Sequence, residues 1–157
     1  AYNIQQVIEE LHADRIGHGV RGVENSSIIH LLRERQVALE ICLTSNLQTG
    51  VVHSVKHHPL ADLHDLGVMT TLNSDDPSIS DCTLTDEFQI AHEALGMGYQ
   101  DLRQIILNGA KAAFLPPAQK QSLVTYFEQR LPHRLPKRPF WQSQSAIGTP
   151  TLALPAV

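Results

Sequence analysis

Three short polar clusters hold the residue types that do chemistry. "NSDDP" (73–77) sets Asp75 and Asp76 side by side ahead of a proline, "GHG" (17–19) places His18 between two glycines, and "CLTSN" (42–46) offers a thiol, two hydroxyls and an amide. Taken singly, each has an ordinary structural reading. Asn, Ser, Asp and Pro build turns because short polar side chains bond nearby backbone and proline fixes φ. The Asp pair then reads as a turn with a helix N-cap, His18 as a structural histidine in a glycine-rich turn, and "CLTSN" as a polar loop. Taken together, they supply a carboxylate and an imidazole, the pair that metal-assisted hydrolysis needs. The carboxylate binds Zn²⁺ and polarises its water, and the imidazole holds or deprotonates that water.

The three clusters act together only if the intervening elements bring them to one place. Ile4, Val7, Ile8 and Leu11 fall at i, i+3, i+4 and i+7, so residues 1–13 read as an amphipathic helix already under way at Ala1. "RIGHGV" (15–20) reads as a strand, "SSIIHLLRERQ" (26–36) as a helix capped by Ser26 or Ser27, and "VALEICLTSN" (37–46) as a nearly continuous apolar strand apart from Glu40. "HHPLADLHDLG" (57–67) is helical, with Pro59 in its first turn and Gly67 past its end, and "VMTTLNSDDP" (68–77) is the third strand. Helices are predicted over 83–96, 99–115 and 117–131. Such alternation implies right-handed βαβ units and a parallel sheet, in either a doubly wound sheet or part of a (β/α)8 barrel. A complete barrel takes about 250 residues, so three strands are less than half of one. In either fold the C-terminal strand ends share one rim. His18, Ser45, Asn46, Asp75 and Asp76 are therefore expected around one pocket.

Composition excludes several function classes. A chain of 157 residues with 42% hydrophobic and 18% charged residues can bury a real core, and its net charge of −4 offers nothing to nucleic acid or an anionic membrane. No apolar run approaches the roughly 20 residues of a bilayer span, and the first residues do not resemble a signal peptide. Cys42 and Cys82, without CxxC spacing, fit a reducing compartment, and a cytoplasmic location is expected. Neither GxGxxG, GxxxxGK[ST] nor GxSxG occurs, which sets aside kinases and serine hydrolases. His53, His57 and His58 lack an HExxH context and read as a solvated loop leading into a helix. From Pro132 the chain holds five of its nine prolines and no acidic residue, so 132–157 is expected to be a poorly ordered tail after a domain spanning 1–131.

The ordered blocks "RIGHGV", "LEICLTSNLQTGVV", "HPLADLHDLGV" and "TLNSDDPSI…TLTDEF" resemble the C-terminal part of the adenosine deaminase family, bacterial type, from residue 1 to about residue 130. The resemblance implies the C-terminal portion of a (β/α)8 barrel, about three βα units plus helices, and zinc-dependent hydrolysis of adenosine or deoxyadenosine to inosine and ammonia. It places the zinc-neighbouring, water-orienting histidine at His18, a zinc-ligating and water-contacting carboxylate at Asp75, and a purine N7 contact at Asp76. The small-molecule partner implied is a purine nucleoside. Adenine deaminases share the SDDP block, but "RIGHG" and "CLTSN" resemble the nucleoside enzymes. The family also takes zinc histidines from an HxH and a catalytic glutamate from HAGE, and this chain has neither motif. With Asp75 as its one ligand of that set, the chain alone is expected neither to hold Zn²⁺ nor to deaminate. Two readings of the short chain follow. It is a fragment of a full deaminase, or it is a non-catalytic half-barrel that binds a partner through its exposed face.

Overall fold

The structure, a computed structural model, describes residues 2–133. The tail expected from Pro132 onwards lies, after His133, outside those residues.

Three parallel strands lie in chain order, β1 (Arg15–Gly17), β2 (Ala38–Ile41) and β3 (Thr70–Leu72). Arg15 sits opposite Ala38 and Gly17 opposite Glu40, while Leu39 pairs with Thr70 and Ile41 with Leu72. Alternation sends Leu39, Ile41 and Leu72 to one face of the sheet. There α2 (Ser26–Glu34) and α4 (Leu60–Asp65) bring Ile28, Ile29, Leu32, Leu60 and Leu63 into one core. Leu32, Leu39, Ile41, Leu60 and Leu63 have no exposed surface at all, and each such burial is worth about 2 kcal/mol. The opposite face carries Arg15 and Glu40, paired at 3.1 Å and each about one-third exposed. That pairing explains why one glutamate interrupts an otherwise apolar strand.

The expected rhythm is present, with shorter elements. Helix α1 (Tyr2–Glu9) buries Ile4 and Ile8 but ends before Leu11, which is 73% exposed, because His12 turns the backbone to φ 51°. Strand β1 stops at Gly17 because His18 and Gly19 adopt φ 59° and 66°, and a 3₁₀ turn follows over Val20–Glu24. Glycine is required at position 19, since a Cβ there would lie 2.7 Å from Leu39 Cδ2. The predicted strand over 37–46 ends at Ile41. Residues Leu43–Gln48 form α3 instead, so "CLTSN" is mostly a helix and not a polar loop.

Three later helices fall where they are predicted, after one short helical turn that is not. Helix α5 (Pro77–Ser80) is one short turn begun by Asp76, with Pro77 in its first position. Helix α6 (Leu84–Leu95) opens with a capping box in which Thr83 and Asp86 bond reciprocally, and Gly96 at φ 71° closes it. Helices α7 (Tyr99–Ala112) and α8 (Pro117–Arg130) complete the order, and the Asn108 side-chain amide ties α7 to β3 by donating to Thr70 O at 3.0 Å. None of the described helices is long and apolar enough to cross a membrane.

Candidate active site

The C-terminal strand ends meet as parallel topology requires. His18 directly follows β1, and its backbone N–H still reaches back to Glu40 O on β2 at 2.9 Å. Asp75 lies three residues beyond β3, and its Oδ2 stands 3.6 Å from His18 Nε2. Ser45, in the first turn of α3, donates its hydroxyl to the same Oδ2 at 2.7 Å. A cavity of about 370 Å³ opens on this cluster, with Gly17, His18, Cys42, Asn73 and Asp75 in its wall.

Both His18 and Asp75 have left-handed backbone, at φ 59° and 57°. A non-glycine residue there is uncommon and strained, and such residues cluster where a side chain must be aimed. The two side chains are a little over 40% exposed, so they form a solvent-facing pair and not a structural salt bridge. His18 Nδ1 is buried and has no hydrogen-bond partner among the described residues.

Cys42 completes the cluster. Ligand atoms of His18, Cys42 and Asp75 lie within 4.8 Å of one another. Burial, and then the Asp75 and Glu87 carboxylates, push the Cys42 thiol up to about 12, which keeps it protonated at neutral pH. A zinc ion with ligands about 2.0–2.3 Å away sets neighbouring donors about 3.4 Å apart, in a shell of four. Asp75 Oδ2 can take one position of such a shell, and His18 Nε2, 3.6 Å from it, is then within reach of a water in a neighbouring position. The described residues thus fit one side of a zinc site.

Of the residues expected at the pocket, Asp76 also serves as a helix cap and Asn46 serves elsewhere. Asp76 is the N-cap of α5, its Oδ1 accepting from Ser78 N at 3.0 Å and Ile79 N at 3.2 Å. Asn46 is 1% exposed and points away from the rim, its side-chain amide 2.8 Å from His58 Nε2. The reading of His58 as part of a solvated loop is corrected by the same contact, because this imidazole is 4% exposed. Leu60 N–H donates to His58 Nδ1 at 3.1 Å, so Nδ1 bears no proton and the neutral ring carries it on Nε2. The Asn46 amide must then present its oxygen to the ring. Burial lowers the His58 pKa to about 4, in keeping with a neutral ring that bonds at both nitrogens.

One buried residue escaped sequence reasoning altogether. Glu87 on α6 has no exposed surface, and its carboxylate accepts from Leu43 N at 2.5 Å and Thr44 N at 3.0 Å. It caps α3 from 44 positions along the chain, where the local N-cap, Cys42, makes no side-chain bond. The available signal was the second acidic residue in "TLTDEF", on a helix whose neighbouring positions Phe88 and Ala91 face the core.

A parallel sheet backed by helices, with imidazole and carboxylate on the rim of its C-terminal strand ends, belongs to the α/β class in which that rim binds ligands. Comparison with known proteins gives the same class. A solved adenine deaminase from Arthrobacter aurescens superposes with a TM-score of 0.77 at 26% identity, over 82% of this chain and 39% of its own. An amidohydrolase from Burkholderia ambifaria, solved with bound zinc, superposes at 0.76 with 22% identity, over 83% of this chain and 36% of its own, a likeness of fold alone. The family profile described as Adenosine deaminase matches residues 1–129, and the chain belongs to that family. The adenosine deaminase of Edwardsiella ictaluri is 43% identical over 123 residues, which are 78% of this chain and 37% of the relative. The chain thus spans well under half the length of the curated relatives it matches.

Proposed function

We propose that this chain is the C-terminal part of a zinc-dependent adenosine deaminase and supplies one side of its active site. The observation that carries this reading is the meeting of His18, Ser45 and Asp75 at one strand rim, in a chain of this family. Asp75 offers a carboxylate ligand, with Ser45 fixing its Oδ2. His18, whose Nε2 faces that carboxylate, orients the attacking water and takes its proton. Asp76 hydrogen-bonds the purine ring while its Oδ1 holds the turn of α5. Zinc, when bound, acidifies that water so that hydroxide is available at neutral pH. The remaining ligands and the catalytic glutamate lie outside this chain, so the purified 157-residue chain has no deaminase activity. The unpartnered His18 Nδ1 supports a site completed by further residues.

The test is a chimera. Residues 1–129 replace the matched segment of the Edwardsiella enzyme, and ammonia release is followed with adenosine and with adenine. Zinc-dependent conversion of adenosine to inosine supports the proposal. Turnover of adenine instead supports the alternative favoured by the likeness to the Arthrobacter enzyme. A folded, zinc-loaded chimera inert to both contradicts the reading and leaves the half-barrel as a binding module.

A further inference from the structure

We infer that Glu87 is a positioning residue for the rim, acting on Asp75 through helix α3 and Ser45. The path is short and every link is a hydrogen bond or a covalent step. The Glu87 carboxylate holds Leu43 N and Thr44 N, the first two amides of α3. One residue further along that turn, Ser45 donates to Asp75 Oδ2 at 2.7 Å. Asp75 itself sits on a left-handed backbone with a side chain 41% exposed. Packing therefore constrains its carboxylate weakly, and the Ser45 hydroxyl is the bond that fixes one oxygen.

Chemistry favours a carboxylate at position 87. Helix α3 has six residues and its N-cap, Cys42, makes no side-chain hydrogen bond. One buried and one half-buried N–H donor would otherwise be unpaired, and such donors are costly. A carboxylate accepts at both oxygens and complements the positive end of the helix. A glutamine of the same shape accepts with one oxygen and turns an NH₂ group on the second amide. Helix α6 reaches this position from its own capping box at Thr83 and Asp86, which fixes the register that points Glu87 inward. The Cys42 thiol, with no comparable bond of its own, hangs on the same junction, donating weakly to Glu40 O at 3.7 Å.

The inference rests on the proposed function only for what Asp75 is used for. Its test needs no catalysis. The 157-residue chain, labelled with ¹³C at aspartate side chains, is compared as wild type, Ser45→Ala, Glu87→Gln and the double variant. The Asp75 carboxyl carbon resonance at pH 7.5 is the readout, with a melting curve for each protein. Glu87→Gln is expected to move that resonance in the same direction as Ser45→Ala, by at least half as much. The double variant is expected to move it no further than Ser45→Ala alone, as non-additivity along one path requires. Glu87→Asp, which keeps the charge and withdraws it by one methylene, gives the same ordering with a smaller shift. A purely structural Glu87 would lower the melting temperature and leave the resonance in place, which overturns the inference. Shifts that add in full overturn it too. If neither position-87 variant folds, an Asp75 resonance unmoved by Ser45→Ala overturns it. None of these outcomes depends on whether the chimera deaminates.

Discussion

The rim and the layer beneath it use the same two kinds of side chain in opposite ways. At the rim, His18 and Asp75 are more than 40% exposed, stand 3.6 Å apart and sit on left-handed backbone. Below, Glu87 and His58 are 0% and 4% exposed, and both bond the main chain, at Leu43 and Thr44 for the glutamate and at Leu60 for the histidine. The rim pair is strained and reachable by solutes. The buried pair is satisfied and unreachable. A carboxylate or an imidazole is thus informative about chemistry only through its surroundings, and here α3 joins the two layers, carrying Ser45 upward and Asn46 inward.

The largest effect expected from breaking this contrast is at Glu87. Glu87→Ala leaves the buried Leu43 amide and the half-buried Thr44 amide without acceptors and is predicted to cost about 3 kcal/mol, measured by urea denaturation of the chain. His58 comes next, through pH. Its folded pKa is lowered from 6.5 to about 4, so as pH falls the unfolded chain takes up a proton that the folded chain resists. Stability contributed by the neutral ring is whole above pH 6.5 and is lost progressively down to about pH 4, a total of about 3 kcal/mol. The difference between wild-type and His58→Gln unfolding curves between pH 7 and 4 isolates that loss from the carboxylates that titrate in the same range.

Gly19→Ala follows. It places a Cβ 2.7 Å from Leu39 Cδ2 at a φ of 66°, and about 2 kcal/mol is expected from strain and displacement of that leucine. The smallest effect on stability is at Asp76. Asparagine caps a helix as well as aspartate, so Asp76→Asn should change unfolding free energy by less than about 0.5 kcal/mol. In the chimera the same substitution should raise KM for adenosine, which separates the capping role from the substrate role at one position.

Much of this was legible in the chain itself. Strand and helix order follows from apolar runs bounded by glycine, proline and polar residues, and the cap residues Thr83, Asp86 and Gly96 occupy the ends that the pattern predicts. The "DDP" run supported a cap and a chemical role, and in the structure Asp76 makes the cap while Asp75 faces the rim. What was not legible came from long range. Helix α3 read as the end of a strand because its cap, Glu87, is 44 residues away and no local rule announces it. His58 read as solvated because Pro59 marks a turn, whereas Asn46 and the Leu60 amide give the ring two buried partners. Leu11 kept the helical spacing of Ile4 and Ile8, but the backbone turns away at His12, and spacing alone does not mark that end.

The measurement that tests the contrast most directly is the pairing of rate with melting temperature in the chimera for Asp75→Asn and Glu87→Gln. Asp75→Asn is expected to reduce adenosine deamination by at least about 10³-fold while the melting temperature, compared between the metal-free proteins, stays within about 1 °C of the parent. Glu87→Gln should lower the melting temperature by several degrees and reduce the rate by a smaller factor. An Asp75→Asn chimera that deaminates at the parent rate, or that loses as much thermal stability as Glu87→Gln, would contradict the assignment of chemistry to the rim and support to the layer below.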